Sequence, residues 1–186
     1  RIIPLVIEEE KMEAAKKAAA EATGGCPILE LKPFLHKKVG IVTTGNEVFY
    51  GRIKDTFTPV IRGKLSEFDT EVIDHVTWND DDTKVTASIL DMIQKGADVV
   101  VCTGGMSVDP DDKTPLAIRN TGADIVSYGA PVLPGAMFLL AYYQVKDGEN
   151  PRTVAIMGLP GCVMYARRTI FDLVLPRIMA DDQVTA

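Results

Sequence analysis

At 186 residues, with 46% hydrophobic and 6% aromatic content, the chain can bury a full core in one domain with a small appendage, which excludes a disordered protein. A formal charge of −6 argues against sequence-blind nucleic-acid binding and against an anionic membrane surface, since both need basic patches. No apolar run reaches the roughly 18 residues of a membrane span and no stretch reads as a signal peptide, so a cytoplasmic protein with no membrane or nucleic-acid partner is expected.

Three cysteines, Cys26, Cys102 and Cys162, form neither an even framework nor a CxxC pair and read as reduced thiols, with Cys102 in the core. The chain opens on Arg1 rather than Met, so a fragment of something longer is expected. Residues 1–7 read as a short strand and 8–25 as a helix, acidic at its start and closed by Gly24 and Gly25. A proline-punctuated connector follows, and the one candidate boundary falls near residue 36, giving an N-terminal segment 1–36 and a domain 37–186.

Periodic order begins at Lys38. "KVGIVTTGNEV" is an unbroken apolar run ending in small polar residues, as in a buried parallel strand. Thr58-Pro59 reads as the cap and first residue of a helix whose Ile61, Leu65 and Phe68 share a face. "TEVIDHVTW" alternates like a strand. "NDDD" then caps a helix with Val85, Ile89 and Ile93 on one side. "ADVVVCTGG" is a second continuous strand, and Thr114-Pro115 opens a short helix. "PGAMFLLAYYQ", the turn "KDGEN" and "RTVAIMGLPG" predict a hairpin. Residues 162–180 predict a closing helix that buries Phe171, Val174, Leu175 and Ile178 and is kinked or ended by Pro176. Strands alternating with helices predict an α/β fold around a mainly parallel sheet.

In such a sheet the strand-end loops gather on one edge, and ligands bind in the crevice there. The loops are "TTGNEV", "WNDDD", "TGGMSVDPDD" and "GLPGCV". Gly45, Gly104, Gly105 and Gly161 would let backbone amides approach a phosphate or similar anion closely. Each amide bond to a charged group contributes about 1.5–3 kcal/mol. Yet Asp80, Asp81, Asp82, Asp109, Asp111 and Asp112 crowd the same edge and would repel that anion. A divalent cation reconciles the two, because Mg²⁺ takes one or two carboxylates plus ligand phosphates.

Simpler readings stand beside these. Asp82 and Asp111 can be helix caps, and Glu47 a solvated loop residue. Thr-Gly-Gly can be only a tight turn, and Cys162 a packed small residue. His75 in a strand and His36 in the connector read as non-catalytic. "DPDDKT" lacks the Gly-Lys-Ser/Thr of a phosphate-binding P-loop, and no G-x-G-x-x-G follows the first strand.

In that order, "TTGNEV", "DD", "TGGMSVDPDDKTP", "PVLPGAM" and "GLPGCV" resemble the molybdopterin-binding domain of molybdenum cofactor biosynthesis proteins. That family includes molybdopterin adenylyltransferases, molybdotransferases and domains of gephyrin; the likeness spans about residues 38–179. The resemblance implies a three-layer α/β/α sandwich with a pterin-phosphate site at the strand ends. It assigns ligand contacts to Thr44, Gly45, Asn46 and Glu47, to Thr103, Gly104, Gly105, Met106 and Ser107, and to Pro134, Gly135, Pro160 and Gly161. It implies catalytic roles for Asp112 and for Asp80 or Asp81, two alternatives that helix register and gap-free counting leave open, and Mg²⁺ on Asp112 and Asp109. The implied partners are molybdopterin or adenylyl-molybdopterin, with molybdate as a further substrate, and a homo-oligomer is expected. The implied activity is molybdotransferase-like insertion or activation of molybdate. The alternatives are a non-catalytic carrier or sensor and a nucleotide pyrophosphatase of the competence-damage-inducible type. Two departures bear on the chemistry: "LPGAM" lacks the lysines of the family loop, and Cys162 stands where Asn is common.

Overall fold

The computed structural model describes residues 5–27, 29–107, 109, 112–146 and 151–185. The chain divides into two compact units, Arg1–Pro33 and Phe34–Ala186. In the first, helix α1 (Glu9–Ala22) carries Glu9 and Glu10 in its first turn and buries none of its side chains. Residues 5–8 form no strand, against the sequence expectation, and residues 1–4 lie outside the described set. Among the described residues Leu5, Val6 and Ile7 join no strand of the sheet.

The second unit contains, in chain order, β1 (Lys37–Thr44), α2 (Asn46–Phe49), α3 (Phe57–Leu65), β2 (Thr70–Trp78), α4 (Asp82–Gln94), β3 (Val99–Thr103), α5 (Thr114–Asn120), β4 (Asp124–Tyr128), β5 (Leu139–Val145), β6 (Arg152–Leu159), a 3₁₀ turn (Gly161–Met164) and α6 (Ile170–Met179). The strands form one sheet in the order β2-β1-β3-β6-β5-β4. The first four run parallel, and β5 pairs antiparallel with both β6 and β4.

Strand alternation sends side chains to two faces. Val39, Ile41, Val99, Val101, Met157 and Leu159 meet α3 and α6 on one face. Val42, Val100, Cys102 and Ile156 meet Val85, Ile89, Met92 and Ile118 of α4 and α5 on the other. The result is the three-layer α/β/α sandwich, each fully buried aliphatic side chain contributing about 1.5–3 kcal/mol. Cys102 lies in this core, and burial pushes its thiol up to about 12.

Several local expectations change. Helix α3 starts one residue before Thr58. Its first amides are taken by Asp55, whose Oδ1 accepts from Phe57 N at 2.9 Å and Thr58 N at 3.1 Å, so the aspartate outcompetes the Thr-Pro pair. Asp81, not Asp82, caps α4 by accepting from Lys84 N at 3.2 Å. Thr114 makes no cap bond. The closing segment breaks into the 3₁₀ turn and α6, because Thr169 and Asp172 form a capping box that restarts the helix. Pro176 sits inside α6, which continues to Met179. Strand β4 was not expected. It carries only the half-buried Ile125, Val126 and Ser127 between exposed ends. Asp111 and the "KDGEN" turn at 147–150 lie outside the described residues.

Candidate functional site

Parallel pairing of β1, β2, β3 and β6 brings Thr44, Trp78, Thr103 and Leu159 to one rim of the sheet. There Gly45 N donates to Trp78 O at 3.0 Å, tying the loop after β1 to the end of β2. The next residue, Asn46, donates from Nδ2 to Asp80 Oδ2 at 2.7 Å. Asp81 is spent on the helix cap, so of the two adjacent aspartates only Asp80 is bonded to the glycine-asparagine loop.

Thr44 continues the line. Its hydroxyl lies 3.1 Å from Thr114 Oγ1 and 3.3 Å from Thr103 O, while Thr114 Oγ1 donates to Gly104 O at 2.8 Å. Gly104 has φ +83°, and a Cβ there would lie 2.0 Å from Thr44 O; Gly105 has φ +52° and a Cβ there would lie 3.0 Å from Thr114 Oγ1. Both glycines are thus favoured by backbone angle, Gly104 also by the close approach of β1 and Gly105 by that of Thr114. Met106 is buried, and its side chain packs where Gly158 leaves room. Ser107 N donates to the Asp112 carboxylate, Asp109 N donates to Ser107 Oγ at 3.2 Å, and Asp112 N donates to Asp109 O at 3.1 Å. Asn46, Asp80, Thr44, Thr103, Gly104, Gly105, Thr114, Ser107 and Asp112 therefore form one contiguous ribbon of contacts along the rim.

The other expected residues stand differently. Glu47 is exposed on the first turn of α2. Gly135 is buried, where a Cβ would meet Ile170 Cγ2 at 2.4 Å, and Pro134 O accepts from Ile170 N at 3.2 Å. Within these contacts the loop seats the start of α6. Pro160 is buried, and Gly161 opens the 3₁₀ turn, where a Cβ would reach Phe57 at an ordinary 3.9 Å.

Three further groups of side chains meet near this rim. On the α3 face, His75 Nε2 lies 3.0 Å from Thr58 Oγ1, 3.2 Å from Thr43 Oγ1 and 3.7 Å from Asp55 Oδ2. Burial lowers the His75 pKa despite the Asp55 charge, so the ring is held neutral. Beside α2, Phe49 stacks on Trp78 at 6.1 Å and Lys84 Nζ lies 5.4 Å over the Trp78 ring. Beyond the glycine loop a cavity of about 410 Å³ opens, lined by Ser107, Asp109, Asp112, Leu116, Arg119 and Tyr128 among others. The only sequence signal for the last was the excess of carboxylates.

Among the described residues no three of His, Cys, Asp and Glu gather as a metal cage. Magnesium does not need one: carboxylates are the hard oxygen donors it takes, and it binds through one or two of them with ligand phosphates. Asp112 and Asp80 fit that donor chemistry. Among the described residues no helix is long and apolar enough to cross a membrane.

A three-layer sandwich with glycine loops and carboxylates on the carboxyl rim of its parallel strands defines an α/β ligand-binding domain of the doubly wound kind. The model of the family described as "Probable molybdopterin binding domain" matches residues 40–180, and the chain belongs to that family. A CinA-like protein of Mycobacterium tuberculosis is 32% identical over 90 residues, 48% of this chain and 21% of the relative. A molybdopterin molybdenumtransferase of Haemophilus influenzae is 28% identical over 158 residues, 81% of this chain and 37% of the relative. The chain thus spans between about a fifth and two fifths of these relatives. The tungsten cofactor synthesizing protein MoaB of Pyrococcus furiosus shares the fold with a TM-score of 0.58 and 20% identity, covering 83% of this chain and all of that one.

Proposed function

We propose that this domain binds molybdopterin at the carboxyl rim and takes part in inserting or activating molybdate. The observation that supports this reading is the contiguous ribbon from Asp80 and Asn46 through Thr44, Gly104 and Gly105 to Ser107 and Asp112. The glycine loop would receive the terminal phosphate of the cofactor. Asp112, with ligand phosphate oxygens, would hold Mg²⁺; Asp80, at the other end of the ribbon, and Asp109 are the further carboxylates that could serve as its second protein donor. When bound, the metal supplies Lewis acidity and neutralises charge on the phosphate and the incoming molybdate. The protein's own part is positional: Ser107 N fixes the Asp112 carboxylate, Asn46 fixes Asp80, and the threonine pair holds the loop that lies between them. Thr103, Met106, Pro134, Gly135, Pro160 and Gly161 support loops rather than chemistry. A homo-oligomer in the cytoplasm remains part of this reading, and light scattering on purified protein tests the oligomer.

The decisive experiment supplies molybdopterin, molybdate, ATP and Mg²⁺ and scores molybdenum-loaded cofactor. Asp112→Asn should lower turnover by about 100-fold or more while circular dichroism stays unchanged. Undiminished turnover in that variant sinks the assigned role. A second reading draws on the CinA-like relative, whose 32% identity exceeds that of the molybdenumtransferase: a nucleotide pyrophosphatase, scored by cleavage of ADP-ribose. Tight molybdopterin binding without either turnover identifies a carrier or sensor, to which the lysine-free loop at Leu133–Met137 is suited.

A further inference from the structure

The hydroxyls on the α3 face beneath the glycine loop run in one direction. An ionised carboxylate can only accept, so Thr58 donates its single hydroxyl proton to Asp55 Oδ2. Thr43 Oγ1, 3.3 Å from Thr58 Oγ1, must then donate to it, and Thr103 Oγ1 donates to Thr43 Oγ1 at 3.3 Å. The chain from Thr103 through Thr43 and Thr58 to Asp55 ties the ends of β3 and β1 to the first turn of α3 and the loop before it. All three threonines are buried. With their protons committed, Thr58 and Thr43 can only accept from His75 Nε2, at 3.0 and 3.2 Å. The neutral ring is therefore the Nε2–H tautomer, shared between two oxygens, and its Nδ1 makes no hydrogen bond among the described residues.

Thr103 directly precedes Gly104, so this chain grips the glycine loop from the α3 face, as Thr44 and Thr114 grip it from the other. We propose that His75 is a positioning residue of the rim site: its Nε2–H fixes the threonine chain, and with it the placing of the Gly104 and Gly105 amides toward a bound anion. The inference rests on the molybdopterin reading above and concerns what holds that site in shape. A second proton can enter the ring only at Nδ1, and it brings a full charge into a half-buried place. Asp55, before α3, and Asp74, on β2, favour that charge; Arg62, on α3, opposes it, and burial decides against it. The ordered network thus holds the ring below its ordinary pKa of about 6.5, and ligand affinity falls as pH drops through that lowered value.

Nitrogen NMR of histidine-labelled, unmodified protein tests the tautomer: at neutral pH the His75 proton should sit on Nε2 and Nδ1 should be bare. Molybdopterin binding is followed by the emission of Trp78, the chain's one tryptophan, at the end of the same strand. His75→Leu, which removes the donor, should weaken binding by about 10-fold or more. His75→Gln, whose amide N–H takes the place of Nε2–H, should stay within about 3-fold of wild type. Amide exchange at Gly104 and Gly105 should quicken in the leucine variant and recover in the glutamine one. Acidification should weaken binding more in wild type than in His75→Gln, where only the ligand's phosphate titrates. A proton on Nδ1, wild-type affinity and exchange in His75→Leu, or equal losses in both variants each overturns the positioning role and spares the proposed function. If unmodified protein binds no molybdopterin, the proposed function falls, and the tautomer and the glycine exchange still decide whether His75 holds the loop.

Discussion

Gly104 shows how much one residue at the rim is asked to do. Its φ of +83° disfavours any side chain by about 1–2 kcal/mol, and a methyl group would lie 2.0 Å from the carbonyl of Thr44, which is backbone and cannot swing away. Gly104→Ala should therefore destabilise the fold by at least about 2 kcal/mol in urea denaturation, besides displacing the glycine loop. His75 gives a prediction of a different kind. Its folded pKa lies below the unfolded value of about 6.5, because burial disfavours the charged ring; Arg62 acts in the same sense, and Asp55 and Asp74 oppose it. The stability it contributes is complete above that unfolded value and is lost as pH falls toward the folded pKa. Melting temperature should fall as pH is lowered from about 6.5, and His75→Gln should flatten that part of the profile. A profile identical to wild type in the variant would show that another group titrates there.

At the scale of elements, α6 is fastened to α3 by a buried ion pair. Lys64 Nζ donates to both oxygens of Asp172, at 2.6 and 2.8 Å, and to Arg167 O at 2.9 Å. Burial pushes the Asp172 pKa up, but Lys64 and the Thr169 amide outweigh it and hold the carboxyl below its ordinary value. Lys64→Met removes the cation and leaves the carboxylate buried, so a loss of about 3–5 kcal/mol is expected in chemical denaturation. The double variant Lys64→Met, Asp172→Leu should recover much of it. None of this was readable in advance. The sequence shows Lys64 and Asp172 as two charges 108 positions apart. What could be read were the elements whose pattern is dictated by burial on both faces: the continuous runs that became β1, β3 and β6, and the periodic apolar positions of α4. Strand β4 escaped because, half-buried at the sheet edge, it carries neither a continuous run nor a clean alternation. At the rim, the glycines and aspartates announced themselves by type and place in the chain. The Thr44–Thr114 contact, the division of labour between Asp80 and Asp81, and the approach of Arg119 and Tyr128 to one cavity depend on tertiary approach and left no local trace.

For the whole molecule, the family match and the second compact unit cover nearly the same residues. Phe34 already packs edge-on to Phe68 at 5.0 Å, and Leu35 N donates to Met179 O at 2.8 Å, so the unit's own network begins at residue 34. Helix α1 buries no side chain. A protein starting at Phe34 should melt within about 2 °C of the longer chain, as expected for losses of surface residues alone; a large drop would show that residues 1–33 are integral to the fold. The stitch of threonines and glycines has a consequence for the molecule as a whole. It joins stretches that are neighbours only once the central strands have zipped together, so an unfolded chain retains no half of the proposed site. Occupancy and folding are then one equilibrium: a cofactor clasped at the rim would raise the melting point of the entire sandwich, in step with its concentration, instead of merely quieting a loop.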